Sequence, residues 1–448
     1  MKDRVAIVGA GLSGLAAAAG LARHGCRVTI LESRGRAGGR ASSFTDSATG
    51  RLVDTCQHVS MGCCTNLAHF CTLVGIDHFI EPQRQLFFLT PEGRVSRFRA
   101  DPLPAPLHLA RSFLGLHYLS LREKLSIARC LWRLRALPED VEGSFIDWLS
   151  RNRQTPAAIE RFWGLVLTSC LNEEVERVGI RYARKVFVDG FLRHRRGFVV
   201  SLPTVPLGRL YGEELQDWLK ARGVQVVLNC GVARVLEAAD RVTGLELRDG
   251  TRLEADWYVT AVPFERLADL LPAAWTDDLS ALSPVKNLET SPIVSVHLWY
   301  DRPITQLPHV VLVGCQGQWL FNRGQVAAGE HYFQVVISAA RRLRGAGHEE
   351  VQQRIVAEVA KLFPEAAVAS LVRARVVTEH AATFSAVPGI DRFRPGQETP
   401  IDNLFLAGDW TATGWPATME GAVRSGYLAA EAILQRIGKP ARLIQPDL

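Results

Sequence analysis

Apolar and polar positions follow three different rhythms along this chain of 448 residues. VAIV at 5–8 is an unbroken apolar run with no polar face, as a strand covered on both sides of a parallel sheet requires, and LFLA at 404–407 repeats it. A second rhythm, helical in spacing, runs from about 79 to 201. It begins with LFFLTPEGRVSRFR, a hairpin turning at PEG, and continues through Pro-rich and amphipathic stretches. Helices are expected at Ser144–Arg151 and Thr155–Leu171, with Ser144 or Asp147 and Thr155 as their start signals. A third rhythm, strict alternation, marks IVSVHLWY, HVVLVG and HYFQVVISA as strands of a second sheet, antiparallel because short connections join them. The helix in HEEVQQRIVAEVAKLFP is expected to stop at Pro364.

The middle of the chain returns to the first habit. LGRLYGEELQDWLKARG predicts an amphipathic helix ending at Gly223, followed by one strand through VQVVLNCGVARVLEA. A hairpin with DG at its turn then leads into the apolar strand WYVTAVP. These elements are expected beside VAIV despite their distance from it in sequence.

The chemistry starts where VAIV ends. Gly9, Gly11 and Gly14 form GxGxxG at a strand-to-helix junction, allowing a tight turn, close approach of a pyrophosphate and close helix packing. The helix N-terminus adds N–H groups and a positive dipole end. Glu32 closes the next strand, where its carboxylate can accept from the hydroxyls of an adenosine ribose. Val5 to Ala22 is also uncharged and follows Lys2 and Arg4, but the glycines break any anchor-like helix where the turn is needed. Arg34 and Arg40 flank Gly38 and Gly39 in a loop suited to phosphate.

Far downstream, Gly408 and Asp409 follow the LFLA strand, and a helix begins near Met419. A strand-end carboxylate can meet a polyol, and a helix N-terminus near Thr418 can stabilise negative charge on a ring. One ligand touching both ends of the chain is implied, and FAD spans that reach better than NAD.

Composition narrows the partners. A net charge of +6 spread along the chain argues against nucleic acid and favours an anionic membrane surface. Between 99 and 136 arginine exceeds acid, and there are more apolar residues than one helical stripe needs; some are expected to face a greasy cavity or lipid. Nine cysteines, an odd number, fit free thiols in a reducing compartment, hence the cytoplasm, with peripheral contact at the inner face of the membrane. Cys56, Cys63, Cys64 and Cys71 lack the spacing of a metal site, so no metal is expected.

GAGLSG with Glu32, Arg34, GGR at 38–40, Val232, AVP at 261–263 and LAGDW with GWPATMEGAVRSG resemble the FAD-dependent amine oxidase and phytoene desaturase superfamily. Within it, DTCQHVSMGCC, EHAATFSAVPGIDRFRPGQ and GDWTATGWPATMEGAVRSG are similar to the squalene-associated branch, the hydroxysqualene dehydroxylases of bacterial hopanoid synthesis. The resemblance implies an α/β protein. A Rossmann-like FAD-binding domain would be assembled from 1–78, 196–285 and 378–440, and a discontinuous α+β substrate domain, with a mixed or antiparallel sheet plus helices, from 79–195 and 286–377. It also implies Gly9, Gly11, Ser13 and Gly14 at the pyrophosphate, Glu32 at the ribose and Arg34 and Arg40 near the phosphates. Val232 would meet the adenine, Asp409 the ribityl chain, and Met419 with Glu420 the flavin ring. Leu12, Ser33, Gly38, Gly39, Gly408, Ala417 and Thr418 complete the expected cofactor set.

The branch usually has DNGQH where this chain has DTCQH, so Cys56 stands at an expected glycine and is strained if that bend needs positive φ. Gln57 and His58 are the expected catalytic residues, His58 as proton donor because its ordinary pKa suits exchange near neutrality. The implied reaction converts hydroxysqualene to squalene with hydride from reduced FAD, which some reductant must reload. Alternatives are a carotenoid-type desaturase or an amine oxidase, taking hydride in the opposite direction, or a non-catalytic prenyl-lipid escort.

Overall fold

The computed structural model describes residues 2–47, 49–238, 240–278 and 282–448. Its first sheet has five parallel strands in the order Gln225–Val227, Arg27–Leu31, Arg4–Val8, Trp257–Thr260, Leu404–Leu406. The apolar runs sit here because both faces are covered. Helix Leu12–Arg23 buries Ala16 to Ala19 completely and packs along helix Met419–Arg436, so the two ends of the chain meet beside the first strand. Arg4–Val8 has a neighbour on each side, and the crevice beyond its C-terminal end is where such sheets take ligands.

The single strand expected through VQVVLNCGVARVLEA is two. Gln225–Val227 joins the parallel sheet, and Val232–Ala238 starts a separate antiparallel meander with Arg241–Leu247 and Arg252–Leu253. Asn229 breaks the run by adopting φ +54°, a conformation Asn tolerates better than most other non-glycine residues.

The second sheet has seven strands in the order Leu371–Phe384, Thr290–Tyr300, Glu330–Ile337, Trp319–Ala327, His309–Leu312, Gln85–Leu89, Val95–Arg99. Its pairs are antiparallel with one exception: His309–Leu312 runs parallel to Gln85–Leu89, which no short connection constrains. The hairpin at PEG forms as expected. Leu371–Phe384 escaped the sequence reading because it lies at an edge, half-exposed on both faces, so its polar residues do not alternate. Pro364 follows helix His348–Leu362 and starts the next one, Pro364–Val368, at its first position.

A helical layer from Leu107 to Leu192 packs on the hairpin end of this sheet through Phe88, Phe98 and Tyr118. Helix Leu121–Arg135 buries Ile127, Cys130 and Leu134 inward. Among the described residues no helix is long and apolar enough to cross a membrane.

Candidate functional site

A cavity of about 920 Å³ runs from the crevice of the parallel sheet to the inner face of the seven-stranded sheet. At its first end the backbone does the shaping. Gly9 has φ +109°, and a Cβ there would lie 2.7 Å from the Ala261 carbonyl oxygen; a Cβ on Gly14 would lie 2.1 Å from that of Gly9. Gly11 caps helix Leu12–Arg23 without a side chain, leaving the helix N-terminus to a ligand, with Leu12 and Ser13 on the cavity wall. The Gly38 N–H bonds the Ala10 carbonyl at 2.8 Å, which holds the loop carrying Gly38 and Gly39 against the turn.

Glu32 is buried on the same wall. Its carboxylate accepts the N–H groups of Ala10 and Arg34, each at 2.8 Å, so it is oriented with lone pairs left for a ribose. Ser33 and Arg34 are exposed at the rim, and Val232 lines the wall where the meander begins. These residues line one end of a single cavity.

The other end is built from side chains of distant segments. Arg40 lines the same cavity, and its guanidinium donates to Asp409 Oδ1 at 2.5 Å and to the Ala382 carbonyl at 2.7 Å, bridging the glycine loop to both later segments. Glu420 also lines the cavity, while its carboxylate accepts the N–H groups of Asn66 and Leu67 at the start of helix Thr65–Leu73. Gly408 is held by Ser425, and Thr418 caps helix Met419–Arg436 through the Gly421 N–H at 3.1 Å. Ala417, Thr418 and Met419 line the cavity beside Asp409.

Gln57 and His58 lie in a loop pinned at both sides. Before it, strand Leu52–Asp54 ends in a carboxylate bonded by Ser43 Oγ at 2.6 Å and the Leu207 N–H at 2.8 Å; after it, Ser60–Met61 pairs with Val200–Pro203. Cys56 is not among the residues with positive φ, so the strain expected of a replaced glycine is absent. Burial pushes its thiol up to about 12, and it lines the wall as a small neutral group.

His58 is held in one orientation by its neighbour's backbone. Its Nδ1 donates to the Cys56 carbonyl at 3.0 Å, which leaves Nε2 as a lone-pair acceptor in the neutral ring. Burial, with help from the Arg40 cation, holds the imidazole below its ordinary pKa against the opposing pull of the Cys56 carbonyl and Asp54. Gln57 is buried, donates its amide to the His58 carbonyl, and has no partner for Oε1.

The sequence reading missed the far wall. Ile293 and Ser295, two apart on one strand, face the cavity, as do Trp319 and Phe321, whose rings stack at 5.3 Å. The alternation was visible, but which face met the cavity depended on register. Asn172, at φ +54°, ties the helical layer to this sheet by bonding the Ser291 carbonyl and the Ala339 N–H.

The donor set fits FAD: a side-chain-free cradle for a diphosphate, a buried carboxylate for a ribose, and one continuous space from there to Asp409 and Met419. The sequence pattern of flavin containing amine oxidoreductases matches residues 12–434. A 15-cis-phytoene desaturase of Synechococcus elongatus is 28% identical over 97% of this chain and 96% of its own. A probable zeta-carotene desaturase of the same organism is 29% identical, over 96% and 98%. Among solved structures, an oxidoreductase from Methanosarcina mazei superposes with a TM-score of 0.75 at 16% identity, covering 96% of this chain and 100% of that one. A putrescine oxidase bound to putrescine gives 0.73 at 18%, covering 97% and 100%. These structures share the fold.

Proposed function

Since the chain belongs to the flavin containing amine oxidoreductase family and is an FAD-dependent oxidoreductase, we propose that it removes the allylic hydroxyl of hydroxysqualene reductively to give squalene. One observation carries the choice. The cavity wall that includes Ile293, Trp319 and Phe321 also carries two polar side chains adjacent in sequence, Gln57, whose buried Oε1 has no partner, and His58, whose Nδ1 is tied to the Cys56 carbonyl. An alcohol can give its one O–H to Gln57 Oε1 and turn its oxygen lone pairs toward a protonated His58, whereas a hydrocarbon leaves that buried oxygen unpaired. The relatives named for phytoene and zeta-carotene support a long isoprenoid substrate.

When bound and reduced, FAD supplies a hydride to carbon. The residues of the chain handle the oxygen. Gln57 and His58 hold the hydroxyl, His58 in its protonated form passes a proton to it, and the C–O bond breaks so that oxygen leaves as water. Delocalisation over the neighbouring double bond eases the cleavage, and the apolar wall keeps bulk water from the cationic carbon. The balance is alcohol plus hydride plus proton to hydrocarbon plus water.

His58 must be protonated to act, and its pKa lies below the ordinary value, so the rate rises as pH falls through that lowered value and declines above it. The neutral Nε2 favours a second reading, a desaturase in which His58 accepts a proton while carbon loses hydride; its rate would rise with pH instead. Anaerobic incubation of FAD-loaded protein with hydroxysqualene and dithionite, followed by product identification, tests the proposal. Squalene is expected; recovery of unchanged alcohol by fully loaded protein overturns it.

A further inference from the structure

Of the ten large apolar side chains exposed among the described residues, six fall between 103 and 132: Leu103, Leu107, Leu114, Leu121, Leu125 and Trp132. Among the described residues nothing covers them. Helix Leu121–Arg135 accounts for three. Its inner face is filled by Ile127, Cys130 and Leu134, while Leu121, Leu125 and Trp132, at positions i, i+4 and i+11, form a second apolar stripe on the opposite face. Leu125 is 63% exposed and Trp132 66%. A helix apolar on both faces has two apolar neighbours, and the protein supplies one.

The charges beside the outer stripe identify the other. Between 103 and 135 there are six arginines and lysines, Arg111, Arg122, Lys124, Arg129, Arg133 and Arg135, against one acid, Glu123. That acid is occupied at the helix start, where it bonds the Ser120 N–H and hydroxyl. Arg122 and Arg129 flank the stripe on one side and Lys124 and Arg135 on the other, with the Arg135 guanidinium 5.6 Å from the Trp132 ring centre. Lys124 Nζ bonds the Leu114 carbonyl at 2.7 Å, joining the preceding segment to the helix. Apolar side chains with an indole, rimmed by cations and free of acid, match the acyl boundary and phosphate layer of an anionic bilayer.

We propose that the outer face of Leu121–Arg135, with Leu103, Leu107 and Leu114, docks the protein on an anionic phospholipid surface. The opposite face of this helix packs on Ile180–Phe187 and the turn Val188–Leu192, whose Val186 and Gly190 line the cavity. The docked face lies one helical layer from the substrate space. The claim does not depend on which substrate that space takes, since vesicle binding is read without one.

Co-sedimentation of the FAD-loaded chain with vesicles tests it. Phosphatidylcholine vesicles carrying phosphatidylglycerol should bind the protein, and vesicles of phosphatidylcholine alone should bind it far less. Leu125→Ser with Trp132→Ser should lower partitioning about a hundredfold. Arg122→Gln and Arg129→Gln should each lower it about fivefold, and added salt should do the same. All four side chains are exposed, so unchanged flavin content and circular dichroism report an intact fold. Equal binding by the wild type and the Leu125/Trp132 variant overturns the proposal, as does no binding to anionic vesicles. It is equally overturned if light scattering shows a dimer that the double variant dissociates while the wild type ignores lipid.

Discussion

The two ends of the cavity are built from different materials. The diphosphate end is made of backbone: a left-handed glycine, an uncapped helix start, and a carboxylate set by two N–H groups. The substrate end is made of side chains on a pinned loop and on alternate positions of the second sheet. Backbone geometry leaves little room for variation, since a Cβ in the wrong place meets an atom that cannot move. Side chains can be exchanged without disturbing the fold. This contrast explains how desaturases named for phytoene and zeta-carotene, and a putrescine oxidase that superposes on this chain, can share one fold.

Substitutions at each end should separate the two kinds of site. The largest effect is expected from Gly14→Val, which pushes a branched side chain into the Gly9 carbonyl and should leave a colourless protein with no bound flavin by absorbance. His58→Phe should keep full flavin loading yet slow product formation by about 10² to 10³, the usual contribution of a positioned proton donor. Gln57→Leu should also retain flavin and cost about tenfold in kcat/KM for an alcohol, one hydrogen bond's worth, while a hydrocarbon ligand should bind no worse. Smallest is Asp409→Asn, which leaves the Arg40 guanidinium without its counter-charge. With Arg40 about one-third exposed, the loss should be about 1.5 kcal/mol of unfolding free energy in urea titration. A colourless His58→Phe protein, or a yellow Gly14→Val protein, would break the division between the ends.

The same division sets what could be read in the sequence. Gly9, Gly11 and Gly14 announce their site because only glycine tolerates those contacts, and Glu32 follows at a fixed distance along the same unit. LFLA and the helix start near Met419 were legible for similar local reasons. The pairing of Arg40 with Asp409 was not legible because the partner lies 369 positions away, and two positive charges beside glycines look alike whether they meet phosphate or carboxylate. The tautomer of His58 follows from the neighbouring Cys56 carbonyl, a backbone contact that no residue type encodes. Leu371–Phe384 was hidden because an edge strand half-open on both faces has no hydrophobic rhythm.

The central claim is the direction of hydride transfer, and the most direct measurement is an anaerobic single turnover watched through the flavin absorbance. Protein loaded with FAD and reduced beforehand is mixed with hydroxysqualene. The flavin should return to its oxidised spectrum with one squalene formed per flavin, faster at lower pH. A flavin that stays reduced with hydroxysqualene, while the oxidised protein is bleached by phytoene, would contradict the account.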